Sequence, residues 1–216
     1  MALAPTRQPY RFTVEEYLAF ERASDERHEY LDGVIYAMAG ESPDHGRICM
    51  NLAATLVLQL RGSDCEAFSK DMKVCCGPYR AHTREGIYAY PDLVVVCGAM
   101  QFHSQAEDVL VNPKVIVEVL SPSTEAFDRG EKFRRYRAWV PTLTDYVLVA
   151  QDRPMIDHYQ RTPTGSPAPQ EQTRWELETL EGLDPHLHLP SIACTVPLAE
   201  VYERIVFPQA EGDPTP

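Results

Sequence analysis

The sequence is short of several things, and each shortage removes a class of function. No stretch of the 216 residues approaches the roughly 18 consecutive apolar residues that a membrane span needs. The start, MALAPTRQPYRFT, has no long apolar core ahead of a cleavage site, so no signal peptide is expected. Six cysteines are present (Cys49, Cys65, Cys75, Cys76, Cys97 and Cys194), but none form a C-x-x-C pair. A cysteine-based zinc site is therefore not expected, and the thiols read as buried and reduced in a cytoplasmic protein. No G-x-S-x-G is present, and Ser121 and Ser123 read as turn and capping residues, so a protease or esterase has no support. No internal repeat is visible. Basic residues are also scarce: 20 Lys and Arg stand against 32 Asp and Glu, a formal net charge of -12, which argues against a wholly basic surface for non-specific nucleic-acid binding.

What is present is an ordinary share of apolar residues, 44%, in a chain long enough for one domain with a sizeable core. Residues 1–207 read as that domain and 208–216 as a frayed tail. Thr13 with Glu16 three residues later marks a capping box at the head of a short helix. Asp32-Gly33 between two strand-like runs is a hairpin signal, with Glu29 just before it. A helix is expected from about Asp44 to Arg61, with Ile48, Leu52 and Leu56 at helical spacing and Gly62 as its stop. A β-like run covers Cys65 to Cys76, and one strand is expected from Ile87 to Cys97. After a connection over 98–114 come the strand Val115–Leu120 and a helix from about Thr124 to Val140, which Pro141 ends. Strands at Asp145–Ala150, Met155–Gln160 and Trp175–Leu180 follow, with RTPTGSPAPQEQ as a loop and LAEVYERIVF as a closing helix. This order suits an α/β or α+β domain with a central mixed β-sheet flanked by helices.

Two carboxylates stand out against these runs. Asp92 sits at the mouth of Leu93-Val94-Val95-Val96, and Glu118 lies inside Val115–Leu120. A carboxylate buried among β-branched residues is costly unless a cation or donors receive it. If the two strands are antiparallel neighbours, Asp92 near the start of one and Glu118 near the end of the other meet at one end of the sheet. Alternation then gives Ile116, Glu118 and Leu120 one face and sends Val115, Val117 and Val119 into the core on the other. Two carboxylates with a backbone carbonyl and waters suit Mg2+ or Mn2+, which prefer oxygen. Lys132, in the helix after Glu118, is within reach of that sheet end, with Asp128 one turn earlier. The same helix carries RGEKFRRYR, residues 129–137, with five basic residues and one acidic residue. It is the one concentrated basic stretch, and Arg129, Arg134 and Arg135 are its candidate nucleic-acid contacts.

The motifs HEYLDGVIYAM, SPDHGRICMNL, YPDLVVV, VIVEVLSPST and the Asp128-x-x-x-Lys132-x-x-x-Tyr136 pattern resemble the P-D…(D/E)-x-K superfamily of restriction-endonuclease-like nucleases. Within it they resemble the Uma-two family of proposed bacterial endonucleases, over nearly the whole chain. The resemblance implies a restriction-endonuclease-like core and a metal-dependent endonuclease acting on DNA. Asp92 and Glu118 would be the metal pair, Lys132 the catalytic lysine, Glu29 an accessory acid and His45 a residue facing the site. The superfamily's E-x-K would put lysine at position 120, which here is Leu120, so Lys132 takes that place from the following helix. A homodimer would let two sites address the two strands of a duplex. The competing expectation is a catalytically inactive module of the same fold for nucleic-acid binding or protein assembly.

Overall fold

The computed structural model describes residues 10–38, 40–78, 82–163 and 173–207. In chain order these form helix α1 (Val14–Ala23), the hairpin β1 (His28–Leu31) and β2 (Val34–Ala37), and helix α2 (Pro43–Gln59). Strands β3 (Cys65–Ser69), β4 (Lys73–Cys76), β5 (Ile87–Ala89), β6 (Leu93–Cys97), β7 (Val109–Leu110) and β8 (Val115–Val119) follow. A helical stretch comes next in three pieces: α3 (Glu125–Phe127), a π-helical turn (Asp128–Lys132) and α4 (Phe133–Trp139). Strands β9 (Asp145–Val149), β10 (Met155–Pro163), β11 (Thr173–Glu181), β12 (His186–Leu189) and β13 (Cys194–Pro197) lead to the short helix α5 (Leu198–Val201). The expected tail 208–216 and most of the expected loop at RTPTGSPAPQEQ lie outside the described residues. No helix among the described residues is long and apolar enough to cross a membrane.

The strands build two mixed sheets. One has the order β2-β1-β5-β4-β7, the other β11-β10-β9-β8-β6-β3, and β12 and β13 pair separately. In the six-stranded sheet β6 and β8 are antiparallel, whereas β8 and β9 are parallel. Parallel neighbours cannot be joined by a tight turn, and the stretch α3–α4 is the crossover that connects them. That crossover covers one face of the sheet, where Phe133, Tyr136 and Val140 pack on Val94, Ile116, Tyr146 and Leu148. The other face is covered by α2, whose Ile48, Leu52 and Leu56 pack against Val115, Val117, Val119 and Val147. Both faces are therefore core, which is why β6 and β8 read as unbroken apolar runs rather than alternating ones. Glu118 consequently shares its face with buried Ile116 and Leu120, not with solvent.

The local starts are those the sequence encodes. Thr13 caps α1, with both hydrogen bonds of its box to Glu16 in place. Ser42 caps α2 and accepts from the His45 N–H at 3.1 Å. The β1–β2 hairpin turns through Asp32 (φ 45°) and Gly33 (φ 91°), both left-handed, the requirement that makes Asp-Gly a hairpin dipeptide.

Three expectations are corrected. The closing helix expected over LAEVYERIVF is short, with α5 spanning only Leu198–Val201. The single strand expected over Ile87–Cys97 is two, β5 and β6, in different sheets. Pro91 lies between them; it has no N–H to give a ladder, and the chain uses that break to pass from one sheet to the other. The cysteines are not all reduced thiols: Cys65 and Cys97 form a disulfide, while Cys49, Cys75, Cys76 and Cys194 are free. The antiparallel register of β3 and β6 places Cys65 directly opposite Cys97, with Cα atoms 3.9 Å apart, a proximity that their separation of 32 residues conceals in the sequence. Closing a loop of that length restrains the unfolded chain by about 3–4 kcal/mol in the chain-entropy model. Reduction should lower the unfolding free energy by about 2–4 kcal/mol, read from urea denaturation with and without a thiol reductant, and Cys65→Ala should show no further loss on reduction.

Candidate active site

The register that pairs Leu93 with Val117 brings Asp92 opposite Glu118 one step further along, at the end of the β6–β8 pair. The antiparallel arrangement expected for the two carboxylates is the one found. Asp92 is fixed by its own surroundings: its Oδ2 accepts the Val119 N–H at 2.7 Å, and its Oδ1 lies 2.8 Å from His45 Nε2. His45 stands on the first turn of α2. Burial works against its charged form, but the hydrogen bond and charge of Asp92 outweigh this and hold its pKa above the ordinary value.

Lys132 reaches the same place from the crossover. Its Nζ is 2.7 Å from Glu118 Oε1, 3.3 Å from Asp128 Oδ1 and 3.9 Å from Glu29 Oε1. Lys132 is 3% exposed, Asp128 4% and Glu118 5%, so this charge cluster is shut away from bulk water. The π turn carries both Asp128 and Lys132, and the Tyr146 hydroxyl pins it by donating to the Asp128 carbonyl at 3.0 Å. Such turns recur at functional sites because they aim side chains that a straight helix would not. Leu120, at the position of the usual lysine, is buried in the core under α4. Glu29, on β1, accepts the Tyr90 N–H at 3.1 Å and so joins the five-stranded sheet to the site.

All five side chains singled out in the sequence thus connect: Asp92 to His45, and Glu118 and Glu29 to Lys132. Two further residues belong with them. Asp128 stands in the sequence one turn before Lys132 and in the Asp128-x-x-x-Lys132-x-x-x-Tyr136 pattern, but without a role of its own. Gln151, just beyond β9, donates to the Leu120 carbonyl at 2.5 Å and accepts from the Ser42 hydroxyl at 2.7 Å, tying the α2 cap to the end of β8. It lies 106 residues from His45, and nothing local in the sequence marks it.

The basic stretch is not a bare cationic patch. Arg129 pairs with Glu125 at 2.7 Å and with Asp157 on β10, Arg134 with Glu131 at 2.7 Å, and Arg135 with Glu131 at 2.6 Å and with Asp32 at 2.5 Å. Arg129 and Arg135 therefore clamp the crossover to the two sheets, while Arg134 keeps a largely exposed side chain. The Arg135 guanidinium holds the Asp32 carboxyl below its ordinary pKa, with the Gly86 N–H helping and burial opposing. A lowered carboxylate contributes stability above its unfolded pKa of about 3.9, and loses it as pH falls through the folded value. Asp32→Asn, which keeps the left-handed turn, should flatten the acid limb of the stability curve below about pH 4, measured by denaturation at stepped pH.

Electrostatics decide what the site can hold. Burial pushes Glu118 well above the usual carboxylate range, Lys132 pulls it down, and Asp128 and Asp92 push it up again. Burial also weakens the hold of Lys132 on its proton, but Glu118, Glu29 and Asp128 outweigh that and keep it charged. Four carboxylates thus face one lysine and one histidine, and Lys132 is the cation that Glu118 Oε1 meets, at 2.7 Å. A buried cluster with surplus carboxylate oxygen is chemically suited to a hard divalent cation.

The fold and this carboxylate–lysine cluster define a restriction-endonuclease-like α/β protein. A solved structure described as "a putative nuclease belonging to DUF820" from Anabaena variabilis superposes with a TM-score of 0.67, covering 90% of this chain and 99% of that one. Its identity is 16%, so the likeness speaks for the fold alone. Residues 14–197 match the Uma2 family, described as "Putative restriction endonuclease", and the chain belongs to that family. Two uncharacterised proteins of Synechocystis are similar: one is 35% identical over 207 residues, spanning 96% of this chain and 100% of that protein. The other is 34% identical over 149 residues, covering 69% and 80%.

The Lys132 cluster makes a sharp stability prediction. Lys132→Met leaves Glu118 and Asp128 buried without their cation and should cost about 3–5 kcal/mol, measured by urea unfolding in chelator. Adding Glu118→Gln should recover part of that loss, because the uncompensated charge is then gone.

Proposed function

We propose that this protein is a metal-dependent endonuclease that hydrolyses phosphodiester bonds of DNA, with Asp92 and Glu118 holding Mg2+ or Mn2+ and Lys132 as the catalytic lysine. The observation that carries the reading is the convergence of Lys132 on Glu118 at 2.7 Å, opposite Asp92, although position 120 holds leucine. A divalent ion, when bound, supplies neutralisation of phosphate charge and a lowered pKa for water. The chain's own groups do the rest. Lys132, buried and charged, is poised to offset negative charge on the scissile phosphate or to orient the attacking water. His45 keeps Asp92 turned toward the site, and Glu29 balances Lys132 from the neighbouring sheet. Arg134, more open than Arg129 and Arg135, is the one of the three best placed to contact a phosphate backbone, and a second copy of the chain would address the opposite strand.

A rival reading, a non-catalytic module of the same fold, draws on Leu120 standing where the usual lysine would be. Incubation of purified protein with supercoiled plasmid and Mg2+ or Mn2+ separates the two. Cleavage is expected, reduced by at least about 100-fold in Asp92→Ala and Glu118→Ala. A folded wild type that leaves both duplex and single-stranded DNA intact with either ion, or variants that cut as well as wild type, would overturn the nuclease reading.

A further inference from the structure

Beside the Asp92–Glu118 pair, on the α2 side, lies a second group of ligand-type side chains, of which the nuclease reading uses only His45, as the partner of Asp92. Glu41 lies just ahead of Ser42, the cap of α2, and His45 and Cys49 lie one turn apart on that helix. One ligand atom from each of the three falls within 4.8 Å of the others. We propose that Glu41, His45 and Cys49 form a separate site for a borderline divalent cation, of which Zn2+ is the type, next to but chemically distinct from the oxygen-lined pair.

Three observations carry this. The first is spacing: residues four apart on a helix face the same way, so His45 and Cys49 present nitrogen and sulfur to one point, as in helical zinc ligand pairs. The second is the donor set. One imidazole, one thiol and one carboxylate select a softer ion than the all-oxygen pair does, so the two sites discriminate by chemistry. The third is charge. Glu41 Oε1 is already held by Lys70 at 2.6 Å, but its Oε2 faces His45 Nε2 at 3.7 Å, and Asp92 Oδ1 lies 2.8 Å from that same nitrogen. The ion would sit where two carboxylates converge on one histidine. The Asp92 carboxylate can only accept, so in the empty site the proton sits on Nε2, and Gln151 Nε2, 3.4 Å from Nδ1, faces the other ring nitrogen.

Binding is a simple exchange. His45 first gives up the Nε2 proton that it donates to Asp92 Oδ1, with its ring proton then on Nδ1; the cation takes the freed Nε2 lone pair, Glu41 Oε2 and the Cys49 sulfur, and the thiol proton leaves to solvent. His45 then no longer serves Asp92 Oδ1, so occupancy of the softer site alters the harder one through a shared side chain. The inference does not need the nuclease activity, since it concerns binding alone.

Co2+ is the probe, because thiolate ligation gives it an intense near-ultraviolet charge-transfer band that oxygen ligation does not. Titration of the full chain should show this band saturating at one equivalent, and Zn2+ should displace it. Cys49→Ser should abolish the band, while Mn2+ binding to the same variant, followed by electron paramagnetic resonance, stays as in wild type. His45→Ala and Glu41→Gln should each weaken Co2+ by at least about tenfold, since even outer-shell partners of a metal ligand are worth about 10–100-fold. Cys76→Ser, a buried thiol elsewhere, should leave the band intact. Absence of the band in wild type, or its survival in Cys49→Ser, overturns the proposal. Plasmid cleavage without the band would leave the nuclease reading standing and this one refuted; the band without cleavage would do the reverse.

Discussion

The contact on which the rest of the site depends is the buried pair between Lys132 and Glu118. Neither partner is tolerable alone at its depth. An ammonium and a carboxylate with about one-twentieth of their surface exposed lose nearly all their hydration, and only their mutual attraction and nearby charges return it. Everything around them serves to bring the lysine to the end of β8 although it does not belong to that strand. The parallel pairing of β8 and β9 forces a crossover, and the crossover is the element that carries Lys132. The π turn sets its direction, and Tyr146, from β9, fastens the turn from below. A structural device demanded by topology thus brings the lysine to the carboxylates.

The second organising feature is the seam between the two sheets. The chain leaves one sheet after β5 and enters the other at β6, and the three residues of passage, Tyr90, Pro91 and Asp92, are where the site forms. Pro91 breaks the ladder. Tyr90 gives its N–H to Glu29, and Asp92 takes the N–H of Val119. Those two bonds couple Glu29 on one sheet to Glu118 on the other across a single short segment. The acids gather because the backbone at a sheet boundary has free N–H groups to offer them, which is a stabilising reason independent of any metal. Those bonds leave Glu118 to Lys132, whose ammonium at 2.7 Å is the charge it pairs with.

How much of this the sequence reveals follows from what is local. The capping box of α1, the Asp-Gly hairpin and the carboxylates set into apolar runs are all readable, because each depends on a few adjacent residues. The antiparallel meeting of Asp92 and Glu118 follows from their positions at opposite ends of their strands. The break at Pro91 was legible in principle, but apolar residues on both sides made Ile87–Cys97 look continuous. Partnerships between distant segments were not legible: Cys65 with Cys97, Gln151 with the α2 cap, Arg129 with Asp157. The short β7 and the β12–β13 pair were missed for a related reason, since such short strands carry too little periodicity to show. The basic stretch misleads most. Composition sees five cations there, whereas the fold supplies Asp32 and Asp157 from elsewhere to receive two of them.

Carrying the lysine on a helix rather than on the strand changes what fixes it. A lysine at position 120 would be fixed to β8 by the sheet's own hydrogen bonds, two residues from Glu118. At position 132 it is fixed by whatever holds the crossover, and the holders are Arg129 to Asp157, Arg135 to Asp32 and the packing of Phe133 and Tyr136. The arginines that looked like a binding surface are thus part of the reason Lys132 stays where it is. Position 120 is released to the hydrophobic core, where Leu120 fills space under α4. The exchange makes the geometry of the charged cluster a property of tertiary packing, and it explains why a site of so few residues draws on both sheets and on the two helical elements that cover them.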